Sequence, residues 1–375
     1  MDQKRYIVAG NFIDGTGADV RRNVFLAVKD GIITNIGPAA DLSSKDGAVI
    51  DDLKHCTIVP ALVDCSVSLA RSPSVDEKVR SSMEEGGIAK KKALIAQHIR
   101  YCHSHGVLGL ADSGEILGLE EHLQEVKAKR SIIDFRTSNS DFLRIVYSSI
   151  LDNSEAPYSR LNREDLWSIL QQRGKKKAVV VANGQQQVQE SLEAGCDAIE
   201  QGYAIGEDNL RKMAETNVLW IPNVLMAKNG LDGAASGGDV SCRFSMRYVA
   251  PGKADPGAEA FWEKMLAEQL AQLSLARKLS VKTAVGTGAG SIGILHGESV
   301  VEEMKLFIKG GYSLEEAIQC ASDNGAGFFG MKNLGALTVG HQATFLVARG
   351  TVPLLPRKLA YLENIYVDGA PSKNF

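Results

Sequence analysis

The chain has 375 residues, enough for one large domain and a smaller one with a substantial core. Lys and Arg (42) nearly balance Asp and Glu (45), for a formal charge of -3, which gives no reason to expect nucleic acid or an anionic membrane as partner. No apolar run reaches membrane-spanning length, and the opening MDQKRYIVAG lacks the apolar centre of a signal peptide. Cys56, Cys65, Cys102, Cys196, Cys242 and Cys320 stand singly, without a C-x-x-C pair. A cytoplasmic protein with reduced, mostly buried thiols is the expectation.

In chain order, residues 1–56 read as β. YIVAGNFIDGTG gives a strand and a Gly-rich turn, and NVFLAVKDGIITNIGP alternates apolar residues around Asp30-Gly31, a hairpin signal. The middle of the chain alternates helix and strand. Helices are predicted over 88–105, 119–129, 162–173 (with Asn162 as N-cap), 259–279, 299–310 and 314–327. Strands are predicted in GVLGLAD, IIDFRTSN, FLRIVY, AVVVAN, CDAIEQG, VLWIPNV and VKTAVGTG. The stretch 226–257 is rich in Gly, Ala and Ser and reads as a long irregular loop. From Gly335 to Phe375 the pattern is β again, with a turn at Asp368-Gly369. The fold class expected is α/β: a (β/α)₈ TIM barrel over 57–334, with a small β-sandwich built from both termini, 1–56 plus 335–375.

The stretch the rest is organised around is TIVPALVDCSVSL, residues 57–69, an apolar strand ending with Asp64, Ser66 and Ser68 on one face. With KDGIITNIGP, the GCDAIEQG unit, GTGAGSIGILHGESVVEEMKLFIKGGYSLEEAI and LGALTVGHQATFLV, it resembles the amidohydrolase superfamily across essentially the whole chain, nearest the imidazolonepropionase and prolidase-like branches. That resemblance implies hydrolysis of C–N bonds by a metal held at the ends of the barrel strands. It also implies where the ligands should stand, and here those positions carry other residues. The paired His fall on Ser66 and Ser68, and the metal-bridging Lys on Arg144. The strand-five His falls on Val181, with Asn183 as a shifted alternative. The strand-six His falls on Gln201 and the strand-eight Asp on Gly288.

Each replacement works against a divalent ion. A hydroxyl stays protonated at neutral pH, an arginine is cationic and forms no carbamate, valine offers no lone pair, and Gly288 removes a carboxylate. No metal and no other cofactor are therefore expected. His98, Cys102, His103 and His105 cluster near one helix end, which reads as a polar terminus on the far side from the site. Cys65 is expected to point into the strand–helix layer. His296 is the one candidate catalytic residue, in a Ser66–His296–Asp64 arrangement or as the cap of the helix that follows it. The G-x-G-x-x-G within 286–293 suggests a nest of backbone N–H groups for an anion, with Arg144, Arg136 and Lys228 adding charge.

Three functions remain open on the sequence. The first is a non-hydrolytic protein that binds a small polar or anionic molecule through Ser66, Ser68, Arg144, Asn183, Gln201, Gly288, Ser291 and His296. The second is a metal-independent hydrolase of C–N bonds. The third is a structural subunit that pairs with an active relative through the 226–257 loop. The resemblance also implies a homo-oligomer.

Overall fold

The structure, a computed structural model, describes residues 4–42, 48–113, 133–148, 161–235 and 258–372. The helix expected at 119–129 lies outside them, as do Cys242, His122 and most of the 226–257 stretch. Among the described residues, no helix is long and apolar enough to cross a membrane.

The chain opens with β1 (Arg5–Phe12), β2 (Arg21–Lys29), β3 (Ile32–Pro38) and β4 (Val49–Pro60). Asp30 and Gly31 join β2 to β3, both at positive φ (52° and 79°), the two-residue turn whose twist matches an antiparallel pair. After β5 (Leu62–Val67) come α1 (Glu77–Glu84), α2 (Ile88–Ser104), β6 (Val107–Asp112), β7 (Asp134–Thr137) and β8 (Leu143–Val146). Then α3 (Arg163–Gln172) begins where the Asn162 side chain accepts from Asp165 N–H at 2.8 Å, the cap its position predicts. Next are β9 (Ala178–Ala182), α4 (Gln185–Glu193), β10 (Ala198–Gln201), α5 (Glu207–Thr216) and β11 (Leu219–Ile221). They are followed by α6 (Val224–Ala235), α7 (Ala258–Lys278), α8 (Ser299–Lys309), α9 (Leu314–Cys320) and α10 (Asp323–Phe329). The last strands are β12 (Phe345–Arg349), β13 (Asn364–Val367) and β14 (Ala370–Pro371).

The core of the molecule is an α/β arrangement of parallel strands. One sheet runs β5-β6-β7 and a second β11-β10-β9-β8, all parallel. Every residue of β5, β6, β9 and β10 is buried, as parallel strands covered on both faces require. The segment 282–289 links the two sheets. Ala284 N–H donates to Trp220 O of β11 (2.9 Å), while Cys65 N–H of β5 donates to Val285 O (2.9 Å) and Ser68 N–H to Ala289 O (2.7 Å). VKTAVGTG thus contributes a single isolated bridge, Thr283 with Trp220, where a strand is expected, and Ala289 just after it bridges Val67.

A third sheet takes strands from both ends of the chain, in the order β14-β13-β12-β4-β1-β2-β3. It carries its own core of Ile7, Phe12, Leu26 and Ile58, with Phe345 stacked on Tyr366 at 4.6 Å. β4 stays in this sheet as far as Pro60, which pairs with Phe345, so the sheet takes four residues more than the boundary at 56 allows. Ala61 separates β4 from β5, and TIVPALVDCSVSL therefore serves two sheets rather than one.

Two further expectations change. The single helix over 314–327 is two, broken at Ala321-Ser322, where Ser322 leaves helical geometry (φ -142°). The start of the 226–257 stretch is helical, in α6, despite its glycines. Gly230 is the reason: a Cβ there would lie 2.5 Å from the Trp262 ring, so the glycine lets α6 and α7 pack in close contact.

Candidate functional site

The parallel strands end around a cavity of about 460 Å³. Its floor is built from strand ends: Ser66 of β5, Arg144 of β8, Val181 of β9, Glu200 and Gln201 of β10, and Asn223 just past β11. Ser68, Gly288 and Ser291 lie on one side, and Met226, Gly230 and Trp262 on another.

The centre of the floor is an ion pair. Arg144 Nε donates to Glu200 Oε2 at 2.6 Å and Nη2 to Oε1 at 2.9 Å, while Ser66 Oγ donates to Oε1 at 2.7 Å. Asn223 Nδ2 donates in turn to Ser66 Oγ at 3.0 Å. The Glu200 side chain is 3% exposed and that of Arg144 17%. A forked guanidinium and a hydroxyl together meet a carboxylate that water barely reaches. Glu200 faces inward by strand alternation with Ala198, like its β9 partner Val181, and the turn at Gln201 (φ 69°) lets that next residue line the cavity as well.

Around this pair, the other expected residues separate into those that line the cavity and those behind it. Gln201 lines it, with its Oε1 taken by Asn183 Nδ2 at 2.6 Å. Asn183 itself stands behind, accepting from Tyr203 N–H (2.9 Å) and donating to Ser148 O (3.0 Å). Asp64 turns away from the cavity and ties β5 to the linking segment, accepting from Thr287 N–H (2.9 Å) and Thr287 Oγ1 (2.5 Å). Burial pushes its carboxyl up to about 7, against the pull of the Thr287 hydrogen bonds.

His296 does not form the arrangement with Ser66 and Asp64. Its Nε2–H donates to Ser68 O at 2.9 Å, and its ring stacks on His98 with centroids 3.7 Å apart. Burial, and secondly His98, lower its pKa to about 3, so it is a neutral packing group. Nor does it cap α8, whose Glu298 cap makes no side-chain hydrogen bond. His98, expected at a polar terminus on the far side, is buried instead, with Nδ1–H donating to Leu69 O at 2.8 Å. The α2 periodicity does not reveal that the turn after β5 and His296 cover this face. The two imidazoles thus hold consecutive carbonyls of the turn that carries Ser68. Cys65 does not join the strand–helix layer expected of it: it packs with Val63, Ala111, Val179, Ala198, Leu219 and Ile221, and so near Gly325 of α10 that a Cβ there would lie 2.5 Å from its sulfur.

The nest over 288–291 is not available to an anion. Gly288 N–H donates to Ser66 O (2.8 Å), Ala289 N–H to Thr287 Oγ1 (3.0 Å), Gly290 N–H to Ile294 O (3.1 Å) and Ser291 N–H to Gly288 O (3.0 Å). The glycines serve a tight chain path, with Gly288 and Gly290 at φ 73° and 98°. Arg136 is also absent from the cavity lining, being bound to Asp134, Phe329 O and Gly330 O. Lys228 does not line the cavity either.

Sequence reasoning missed Glu200, Asn223, Arg71, Arg80 and Trp262, all of which line the cavity. It also missed Glu303 of α8, which positions the covering helix. The Glu303 carboxyl accepts from Val224 N–H (2.8 Å) and Leu225 N–H (2.6 Å), two of the donors that a helix start leaves open. Burial pushes its pKa up to about 8.

Away from the cavity, the described residues contain one group of three His, Cys, Asp or Glu whose ligand atoms are in mutual reach: His55, Cys56 and Glu363. Glu363 already accepts from Arg349 Nε (2.6 Å) and Nη2 (2.9 Å), which hold its pKa down to about 2. Such a neutralised carboxylate makes a poor metal ligand.

A family model described as the amidohydrolase family matches residues 169–373. No curated protein matches the chain. Among solved structures, the chain is similar to a Xaa-Pro dipeptidase with bound methionine in its active site, at 17% identity and TM-score 0.78 over 99% of this chain and 100% of that one. It is similar to A. niger ochratoxinase at 15% identity and TM-score 0.79, over 99% and 95%. Molinate hydrolase gives 14% identity and TM-score 0.76, over 100% and 95%. At such identities the likeness is one of fold.

Proposed function

The chain belongs to the amidohydrolase family, and from that premise we propose that it has given up metal-dependent hydrolysis and binds a small polar or anionic molecule in the retained cavity. The observation that carries this reading is the Arg144–Glu200 pair. Glu200 is the one carboxylate lining the cavity among the described residues, and both its oxygens already accept from Arg144. A metal at this floor would sit beside a fixed guanidinium, with Ser66, Ser68, Val181, Gln201 and Gly288 as its remaining neighbours. Those donors do not fit a divalent ion.

Under the same reading the two parallel sheets are arcs of one (β/α)₈ barrel, closed by the 282–289 segment as eighth strand. The mixed sheet is then the composite domain of the two termini. The hydrogen bonds across 282–289 and the likeness of fold to known hydrolases support this.

The test is elemental analysis of protein purified without chelators, paired with hydrolysis assays on amide and dipeptide substrates. Near-zero metal and no chelator-sensitive turnover are expected. One Zn²⁺ or more per chain, with turnover lost to chelator, would refute the reading.

One observation favours a second reading. Ser66 Oγ donates to Glu200 at 2.7 Å, the geometry of a nucleophile and its base in a metal-independent hydrolase. Turnover that survives chelator but is lost in Ser66→Ala would establish it. For the structural-subunit reading, most of the contact segment lies outside the described residues.

A further inference from the structure

We propose that the ligand is an uncharged, hydroxyl-rich ring compound of the sugar class, with its hydroxyls on Ser68, Ser291 and Asn223 and its C–H face against Trp262. The proposal rests on the reading that the cavity is a ligand site, and it adds the chemistry of what enters.

Four ionisable residues line the cavity among those described: Arg71, Arg80, Arg144 and Glu200. Each has partners within the fold. Arg144 and Glu200 hold each other through two hydrogen bonds, Arg80 Nη1 donates to Ser74 O at 2.7 Å, and Arg71 and Arg80 both have further interactions. A charged ligand would have to share or take a counter-ion that the fold already uses, and a charge buried without one is costly. The uncharged groups are in the opposite state. Asn223 lines the floor, and its Oδ1 is buried and accepts no hydrogen bond, while its Nδ2 donates to Ser66 Oγ at 3.0 Å. The hydroxyls of Ser68 (9% exposed) and Ser291 have no hydrogen-bond partner among the described residues either. An amide oxygen calls for a donor, which carboxylate or phosphate oxygens do not supply. A hydroxyl both donates and accepts, so several on one ring answer all three groups.

Another wall is apolar. Met226 and Gly230 of α6 and Trp262 of α7 line it. Gly230 has no side chain to hold the indole off the helix, and Asn229 fixes this turn of α6 by donating to Ile292 O at 2.8 Å. A saturated sugar ring has a face of C–H groups that lies flat on an indole, while its hydroxyls point sideways to polar neighbours. A phenol or a plain hydrocarbon ring meets this wall but leaves most of the three open groups unanswered. A volume of about 460 Å³ admits a sugar ring with a substituent.

The arrangement makes the ligand's two features separable. The experiment is ligand-observed NMR titration of the full chain with glucose, galactose, mannose, xylose, ribose and myo-inositol. Cyclohexanol and glucuronate serve as the hydroxyl-poor and the charged counterparts. At least one of the neutral compounds should bind about tenfold or more tightly than either counterpart. Its affinity should change by less than about twofold when salt is raised from about 0.05 M to about 0.5 M. Ser68→Ala combined with Ser291→Ala removes no side-chain hydrogen bond among the described residues, so the fold is kept. The pair should lose about tenfold for the sugar and leave cyclohexanol unaffected. Trp262→Leu should weaken the sugar as well. Cyclohexanol or glucuronate binding as tightly as the best sugar, or sugar affinity unchanged in the serine pair, overturns the proposal while leaving the cavity as a ligand site. Binding of none of the neutral compounds also overturns it. The broader reading fails on a different result, chelator-sensitive turnover.

Discussion

Replacing Arg144 with Met removes the cation from a carboxylate that is 3% exposed. Glu200 then keeps only the Ser66 hydroxyl out of three hydrogen bonds. Hydrogen bonds to charged groups contribute about 1.5–3 kcal/mol each, so two lost bonds cost roughly 3–6 kcal/mol. The direct figure for stripping one partner from a buried ion pair is about 3–5 kcal/mol. Arg144→Met should therefore destabilise the protein by about 4 kcal/mol. Glu200→Gln should cost less, about 1–2 kcal/mol, because the 17% exposed Arg144 side chain can turn towards water in the cavity. In the double variant nothing charged is left unpaired, so the two costs should fall short of adding by about 2 kcal/mol or more. Equilibrium urea unfolding of the four proteins, compared at constant slope, gives the coupling. Additivity to within about 0.5 kcal/mol, or an Arg144→Met cost below about 1 kcal/mol, would refute the reasoning.

Three further outcomes are expected. His296 is neutral in the fold, with its pKa lowered to about 3 from 6.5, so between those values the unfolded chain binds more protons and stability is lost as pH falls below 6.5. Each pH unit in that window costs about 1.4 kcal/mol from this group, so His296→Asn should flatten the acid side of the urea midpoint profile; an unchanged slope between pH 5 and 6.5 contradicts it. Glu303→Gln should cost about 1–3 kcal/mol, since the amide keeps one acceptor for α6 and sets a donor against the other N–H, and Glu303→Ala should cost more. Equal and negligible unfolding shifts for the two variants would mean that the clamp is idle. Ser66→His with Ser68→His should retain far less Zn²⁺ after gel filtration than the same pair combined with Arg144→Met, because the guanidinium and not only the missing imidazoles opposes the ion. Equal zinc content in the two would remove that role from Arg144.

How much of this was legible in the sequence depended on how local the cause was. The Asp30-Gly31 turn and the Asn162 cap are set by neighbours within a few residues, and both stand as expected. The alternation of helices and strands was readable because periodicity records which face is covered. What covers it is not recorded, and there the reading failed. His98 lies on a helix face closed by a turn and an imidazole far away in sequence. The turn at Gln201 sets two consecutive residues, Glu200 and Gln201, on the cavity where alternation allows one, and the helix at 224–235 was hidden by glycines that serve contact with Trp262. The expected backbone nest failed for a related reason. Glycine spacing shows that a chain can turn tightly, not whether its N–H groups are already engaged.

The mixed sheet has a consequence for the order in which the molecule can be made. β4 lies between β1 and β12, and its partner residues in β12 follow it by nearly the whole chain, as in Cys56 with Arg349. A growing chain therefore completes its parallel strands while one edge of β4 still has no neighbour. Synthesis at about 5–20 residues per second leaves that edge open for many seconds, exposed to strands of other nascent chains. The mixed sheet closes on β4 only once the segment from Phe345 onward has been made.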